Sequence, residues 1–150
     1  MIQILNQVGL GGTFDHLHEG HKYLIKTALS ISEKIVIGLT TQKMLNNKKA
    51  ASKLEDYATR ERNLKAFVKT FTDIKRVEIV ELNDPYGPPI NEPEYEGLIV
   101  SQETYETALR INEIRVNKSF KPLVIIVIPI IKDKNNIKIS STSIREDLIE

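Results

Sequence analysis

The sequence predicts an α/β protein, a doubly wound parallel sheet of about five strands with helices on both faces. Three observations carry this expectation. Short, nearly continuous apolar runs rich in β-branched residues recur at residues 2–10, 34–40, 76–82, 98–100 and 123–130, as in strands buried on both faces. The segments between several of these runs have helical spacing, and strand–helix alternation implies right-handed crossovers. A glycine turn, Gly11-Gly12-Thr13, follows the first run, at the carboxyl edge where such sheets bind ligands.

The elements follow in order. After the first strand, a helix begins near Glu19, with Tyr23, Leu24, Thr27, Ala28 and Ile31 on one face. A second helix carries Tyr57, Leu64, Phe67, Val68 and Phe71, and a third Ala108, Ile111, Ile114 and Arg115. Near the C-terminus, Ser143-x-x-Glu146 has the form of a capping box ahead of Ile144, Leu148 and Ile149. Residues 83–93 hold four prolines and a glycine. They read as a rigid loop within one domain spanning residues 1–150, because neither side is large enough to fold alone. The fold class is thus Rossmann-like.

Composition narrows the function. Lys plus Arg is 21 against 20 acidic residues, a balance that predicts neither a nucleic-acid coat nor a membrane-surface binder. The first residues lack the basic leader and apolar core of a signal peptide. The apolar run near residue 125 is far shorter than the roughly 20 residues that span a bilayer. With no cysteine in the chain, disulfides and thiolate metal sites are excluded, and a cytoplasmic protein is expected. Basic residues gather locally at Lys43, Lys48, Lys49 and Lys53, as either a solvated loop or an anion-gathering one.

The three histidines, His16, His18 and His21, fall within six residues, directly after the glycine turn. Zinc would require three or four convergent ligands, and His18-Glu19-Gly20-His21 lacks the i, i+4 spacing of a helical zinc motif, so no protein-held metal is expected. Phosphate chemistry fits better, both than a metal and than a purely structural role for polar side chains at a helix start. Backbone N–H groups at a helix start attract anions, glycine permits close approach, and an imidazole can donate to a phosphate oxygen. Near the other end, Ser140, Ser141 and Thr142 open a helix with Arg145 in its first turn. Hydroxyls, free N–H groups and a guanidinium fork suit β- and γ-phosphates, although helix capping alone would also explain the hydroxyls.

Gly11-Gly12-Thr13-Phe14-Asp15 with His18-x-Gly20-His21, and Ile139-Ser140-Ser141-Thr142-Ser143-Ile144-Arg145, resemble the two signatures of the nucleotidylyltransferase superfamily. Three further segments are similar to the archaeal and eukaryotic branch of phosphopantetheine adenylyltransferase: Asn83-Asp84-Pro85-Tyr86-Gly87-Pro88, Val100-Ser101-x-Glu103-Thr104 and Ile111-Asn112-Glu113-x-Arg115. The bacterial branch has Arg-Gly-Leu-Arg near its fourth strand where Val100-Ser101-Gln102 stands here, so its phosphate ligands do not transfer.

The resemblance implies adenylyl transfer from ATP to 4′-phosphopantetheine, giving dephospho-coenzyme A and pyrophosphate. The acceptor's own phosphate attacks, so no protein nucleophile is needed. Catalysis would rest on His21 and, secondarily, His18. ATP would meet Gly12, Thr13, Phe14, His21, Ser140, Ser141, Thr142 and Arg145. The acceptor would meet Thr13, Lys48 or Lys49, and Tyr86, with Asn112 and Arg115 either joining it or lying on an exposed helix face. Mg2+ would be held mainly by phosphates and water. The rival readings are a transferase of the same fold acting on nicotinamide mononucleotide, a flavin or a polyol phosphate, and a non-catalytic nucleotide-binding domain. Cytidylyl relatives carry a glycine before the second signature's serine–threonine run, which Lys138-Ile139-Ser140-Ser141-Thr142 lacks.

The placement of Arg145 on the leaving phosphates predicts that Arg145→Ala weakens ATP more than AMP, by about tenfold or more, since a charge-assisted bond is worth roughly 1.5–3 kcal/mol. Calorimetric titration of both nucleotides checks this, and equal weakening would place Arg145 elsewhere.

Overall fold

Parallel strands need crossovers of a dozen residues or so, because a tight turn cannot return the chain to the same sheet edge. The chain is organised around that requirement. A computed structural model describes residues 5–45 and 54–129. In order these form β1 (Leu5–Gly12), α1 (Glu19–Ile31), β2 (Ser32–Thr40), the single turn α2 (Gln42–Leu45), α3 (Tyr57–Phe71), β3 (Val77–Leu82), β4 (Gly97–Ser101), α4 (Tyr105–Asn117) and β5 (Val124–Ile128). The strands lie in the order β3-β2-β1-β4-β5, all parallel. The order reverses between β1 and β4, where Val8 and Gly9 register with Gly97 and Leu98. All five expected strands are present, in the expected class of fold.

Two apolar layers flank the sheet. On one face, Ile25, Ala28 and Leu29 of α1 and Leu64 and Val68 of α3 pack with Val8, Leu10, Ile35, Ile37 and Leu39. On the other, Ala108 and Ile111 of α4 pack with Val36, Leu98, Val100 and Tyr95, joined by Tyr86 and Ile90 of the proline-rich loop. That loop carries the chain from edge strand β3 back past β2 and β1 to β4, and so does part of the work of a crossover helix.

Three expectations need correction. Tyr23 is 42% exposed, because the inward face of α1 is centred on Ile25 and Leu29 rather than one residue earlier, and Phe71, the last residue of α3, is 47% exposed. Phe71 instead stacks beside Phe67 and lies under the Lys26 ammonium at 5.4 Å. The outer strands β3 and β5 are not buried on both faces, and Val124 and Val127 are exposed. Each has a strand neighbour on one side only among the described residues.

The third correction concerns Asn112 and Arg115, expected on the substrate or on an exposed face. Arg115 is wholly buried, and its guanidinium donates to five backbone carbonyls. Nε reaches Lys121 at 2.8 Å, Nη1 reaches Pro89 at 2.6 Å and Glu92 at 3.0 Å, and Nη2 reaches Pro93 and Tyr95 at 3.3 Å each. Asn112 donates to the Leu123 carbonyl at 3.0 Å and accepts the Leu123 N–H at 2.7 Å, which docks the start of β5 on α4. A loop that crosses a sheet has carbonyls no ladder can satisfy, and the five-donor fork meets that need.

Arg115→Met should therefore lower the unfolding free energy by about 3 kcal/mol or more, since buried carbonyls deprived of a donor cost roughly 1–3 kcal/mol each. Urea denaturation reads this. An unchanged midpoint with a raised KM would restore Arg115 to the substrate.

Candidate active site

The site begins where β1 ends. Residues 13–18 turn the chain from strand to helix, and two non-glycine residues there adopt left-handed backbone, Phe14 at φ 49° and His16 at φ 48°. Each such residue costs about 1–3 kcal/mol. Burial of the Phe14 ring in the core beneath the sheet edge helps to offset this, as does a bond from Glu55 N–H to the Asp15 carboxylate at 2.8 Å. A further bond, from His16 N–H to Glu55 Oε1 at 2.7 Å, closes the loop onto the entry to α3.

α1 then starts with an unusual cap. His18 is its N-cap, and His18 Nδ1 accepts the Gly20 N–H at 3.1 Å. In return His21 Nδ1 accepts the His18 N–H at 3.2 Å. The rings stack with centroids 3.7 Å apart, and Phe14 lies against His21 at 5.2 Å. Gly20 gives the ring room here, since a Cβ would stand a tight 3.0 Å from it. Since Nδ1 accepts in both rings, a neutral imidazole must carry its hydrogen on Nε2. Both rings are held neutral. Burial lowers the pKa of His18, against the pull of Glu19, and burial followed by the charge of His18 lowers that of His21 to about 3. The His18 Nε2 donor is buried, with no partner among the described residues.

These groups open on a cleft of about 490 Å³ at the carboxyl edge of the sheet, beside the reversal in strand order. Gly12, Thr13, Phe14, His18 and His21 form one wall, Tyr86, Pro88 and Tyr95 another, and Ser101, Glu103, Thr104 and Thr107 the end near α4. The Asp84 carboxylate shapes the Tyr86 turn by accepting the N–H groups of Tyr86 and Gly87 at 2.8 Å each. Of the residues expected in the site, Gly12, Thr13, Phe14, His18, His21 and Tyr86 therefore share one cavity. Asn112 and Arg115 do not line it. Lys48, Lys49, Ser140, Ser141, Thr142 and Arg145 lie outside the described residues.

Sequence reasoning misses Arg60, which is completely buried. Its Nε donates to the Glu55 carbonyl at 3.0 Å, and its Nη1 to the carbonyls of Thr40 at 2.8 Å and Thr13 at 3.0 Å and to Thr40 Oγ1 at 3.4 Å. One signal was available. Arg60 sits on the apolar stripe of α3, three residues after Tyr57 and four before Leu64, where a solvated arginine does not belong. Tyr95 is missed as well, and the ends of β4 and α4 contribute more of the cleft wall than their motifs suggest.

Asp15, His16 and Glu55 place one ligand atom each within 4.8 Å of one another, a grouping that could hold a metal ion. It lies beside the cleft rather than in its lining. Each carboxylate already accepts a backbone N–H within the group, His16 Nε2 stands 3.4 Å from Asp15 Oδ2, and Arg60 Nε is held by the Glu55 carbonyl beside it. That arrangement reads as a latch between two loops.

The cap fixes how His21 titrates. Its folded-state pKa lies below the unfolded value of about 6.5, so between pH 6.5 and about 3 the unfolded chain binds more protons and stability falls as pH falls. Nitrogen-15 NMR should show His21 with Nε2 protonated and Nδ1 bare down to about pH 5. A midpoint near 6.5 would contradict the buried cap.

A cytidylyltransferase-like family model matches residues 10–147. The phosphopantetheine adenylyltransferase of Methanopyrus kandleri is 40% identical over 144 residues, covering 96% of this chain and 91% of its own. That of Pyrococcus abyssi is 41% identical with the same coverage. The enzyme of that name from Saccharomyces cerevisiae is 40% identical over 91% of this chain and 46% of its own length. Among solved structures, an Archaeoglobus fulgidus protein of unknown function superposes with a TM-score of 0.70 at 35% identity, over 81% of this chain and 88% of that one. A bifunctional NMN adenylyltransferase/ADP ribose pyrophosphatase from Francisella tularensis, with a TM-score of 0.64 at 14% identity over 95% of this chain and 41% of that one, shares the fold. With a family model across nearly the whole chain and such relatives along its length, this protein belongs to the phosphopantetheine adenylyltransferase family of nucleotidyltransferases.

Proposed function

We propose that this protein transfers the adenylyl group of ATP to 4′-phosphopantetheine, releasing pyrophosphate and forming dephospho-coenzyme A. The observation that carries the reading is the pair of neutral imidazoles capping α1 in the cleft, one with a buried Nε2 donor that has no partner among the described residues. Two Nε2–H donors at the positive end of a helix make a receptor for phosphate oxygens.

The acceptor's phosphate oxygen attacks the α-phosphorus, the bond to the bridging oxygen breaks, and pyrophosphate leaves with the electron pair. No protein nucleophile enters. His21, with His18 behind it, donates to the α-phosphate as charge builds there. Thr13 and the Phe14 backbone orient the reacting phosphates, and Gly12 leaves them room. Lys48 or Lys49 offsets charge on the incoming phosphate. Ser140, Ser141, Thr142 and Arg145 hold the leaving pyrophosphate, and Tyr86 with the proline loop offers an apolar wall to the acceptor's arm. Catalysis is then positioning plus electrostatic stabilisation.

Mg2+ supplies charge neutralisation on the triphosphate when bound. Among the described residues the cleft lining offers a single carboxylate, Glu103, so the donor set suits an ion carried by phosphates and water. No helix among the described residues is long and apolar enough to cross a membrane; the proposed reaction, on diffusible substrates, places the protein in the cytoplasm.

Incubation with ATP, magnesium and a panel of acceptor phosphates, read by mass spectrometry, should yield dephospho-coenzyme A. Transfer to nicotinamide mononucleotide with none to phosphopantetheine would refute the acceptor, and ATP binding without pyrophosphate release would refute catalysis. In the same assay His21→Ala should lower kcat on the order of 10²–10³-fold while ATP binding changes little. A kcat within a factor of about three would remove His21 from the chemistry.

A further inference from the structure

The left-handed turn at Phe14 aims a backbone donor, and the group that holds it lies outside the cleft. Arg60 is fully buried, and its Nη1 donates to the Thr13 carbonyl at 3.0 Å and to the Thr40 carbonyl at 2.8 Å. The Thr13 carbonyl shares one planar, trans peptide unit with the Phe14 N–H, and in such a unit the two groups point in opposite directions. A carbonyl turned back onto Arg60 therefore turns the Phe14 N–H away from α3. Thr13 and Phe14 line the cleft and Arg60 does not, so the direction away from α3 is toward the cleft. Among the described residues no acceptor meets that N–H.

The backbone strain shows that this orientation is held rather than relaxed. Phe14 has φ 49°, and left-handed backbone costs a residue other than glycine about 1–3 kcal/mol. Rotating the Thr13–Phe14 peptide by half a turn would carry that φ into the extended region, which any residue adopts. The same rotation would take the carbonyl off Arg60 and turn the N–H back toward α3. We propose that Arg60 is a positioning residue whose bond to the Thr13 carbonyl holds the strained peptide, so that the Phe14 N–H stands as a preset donor to a phosphate of ATP. The inference rests on the reading of the Phe14 backbone as a phosphate contact.

The surroundings of Arg60 fit that task better than simple filling. Its Nε donates to the Glu55 carbonyl at 3.0 Å. Glu55 in turn accepts the His16 N–H at 2.7 Å and gives its own N–H to the Asp15 carboxylate at 2.8 Å, so the turn is pinned on both sides of Phe14. The bond to Thr40, the last residue of β2, fixes the guanidinium relative to the sheet. Its Nη2 is buried with no partner among the described residues, a cost that an apolar residue on this core-facing stripe of α3 would avoid. Methionine would fill the space and leave the peptide free to turn.

The test follows the Phe14 amide by nitrogen-15 NMR in the parental protein, Arg60→Lys and Arg60→Met, beside kcat and Tm. A positive φ brings the amide and α hydrogens of one residue close together, so parental Phe14 should show a strong intraresidue NOE between them. ATP added without an acceptor should move the parental Phe14 amide proton downfield. Arg60→Met should lose both signals and lower kcat on the order of 10²-fold, the effect of one lost preorganised donor. Arg60→Lys keeps a donor of different reach, and its kcat should follow its NOE. A weak parental NOE, or a parental Phe14 amide that stays in place while other cleft amides respond to ATP, would overturn the proposal alone. So would a variant that loses the NOE at parental kcat, or one that keeps the NOE and the parental Tm but loses kcat. No response to ATP at any cleft amide would overturn it together with the phosphate reading of the cleft. A Phe14 response without transfer to 4′-phosphopantetheine would support it while refuting the acceptor. Should Arg60→Met fail to fold, the parental spectra and Arg60→Lys decide the matter.

Discussion

The amides at the start of α1 must be capped without placing negative charge beside them, and most of the cleft follows from that constraint. The common caps are short oxygen side chains, and an aspartate there would repel the anion the helix start attracts. An imidazole resolves the conflict because it accepts on one nitrogen and donates on the other. His18 and His21 do this reciprocally, so the cap that satisfies the helix also leaves two Nε2 donors in the cleft region. The neighbouring features are consequences. Gly20 is open so that the His18 ring can sit on its N–H, the rings stack, and Phe14 takes left-handed backbone in the turn that brings its ring against His21.

Behind this cap the irregular backbone is stitched by arginines. Arg60 gathers the carbonyls of Thr13, Thr40 and Glu55, and Arg115 gathers those of the proline loop and of Lys121. Arg76 performs the same task at the α1–β2 junction, donating to the carbonyls of Leu29, Ser32 and Glu33. The need is general. Loops at the edge of a parallel sheet leave carbonyls outside any ladder, and each costs free energy when buried unpaired. The guanidinium offers five donors in a fixed plane, so one side chain can fix several strands of loop at once. Rigid loops on both sides of the β1–β4 boundary are what allow the cleft between them to keep its shape.

How much of this is legible in the sequence depends on the range of the interaction. Strand and helix positions are legible because hydrophobic period is a local property, and all five apolar runs correspond to strands. The cluster of Thr13, Phe14, His18 and His21 is legible because its spacing along six to nine residues already implies a turn and a helix start. The inward face of α1 is less so, because Tyr23 and Ile25 differ by a rotation that only the packing against β2 and α3 decides. Asn112 and Arg115 look like ligand groups because a polar side chain does not announce whether its acceptor is a phosphate or a backbone carbonyl. Arg60 and the Asp15–Glu55 latch join residues about 40 to 47 positions apart, beyond the reach of any periodicity. The placement of Arg60 on an apolar stripe is the one local trace that this long-range network leaves.

A neutral donor changes what the cleft favours. A cationic imidazole would attract the triphosphate of the ground state nearly as well as the transition state, and binding both alike does not raise kcat. An uncharged Nε2–H gains most from the oxygen on which negative charge is growing, and so it discriminates between the two. Burial that pushes the His21 pKa down to about 3 makes the ring a poor base near neutral pH, which would be a defect in an enzyme that had to activate a nucleophile. Here the proposed attacking group is the acceptor's own phosphate, already an anion, and there is no proton to remove. The depressed pKa and the fixed tautomer then belong to one arrangement with the proposed role of His21, a hydrogen-bond donor whose strength would rise along the reaction.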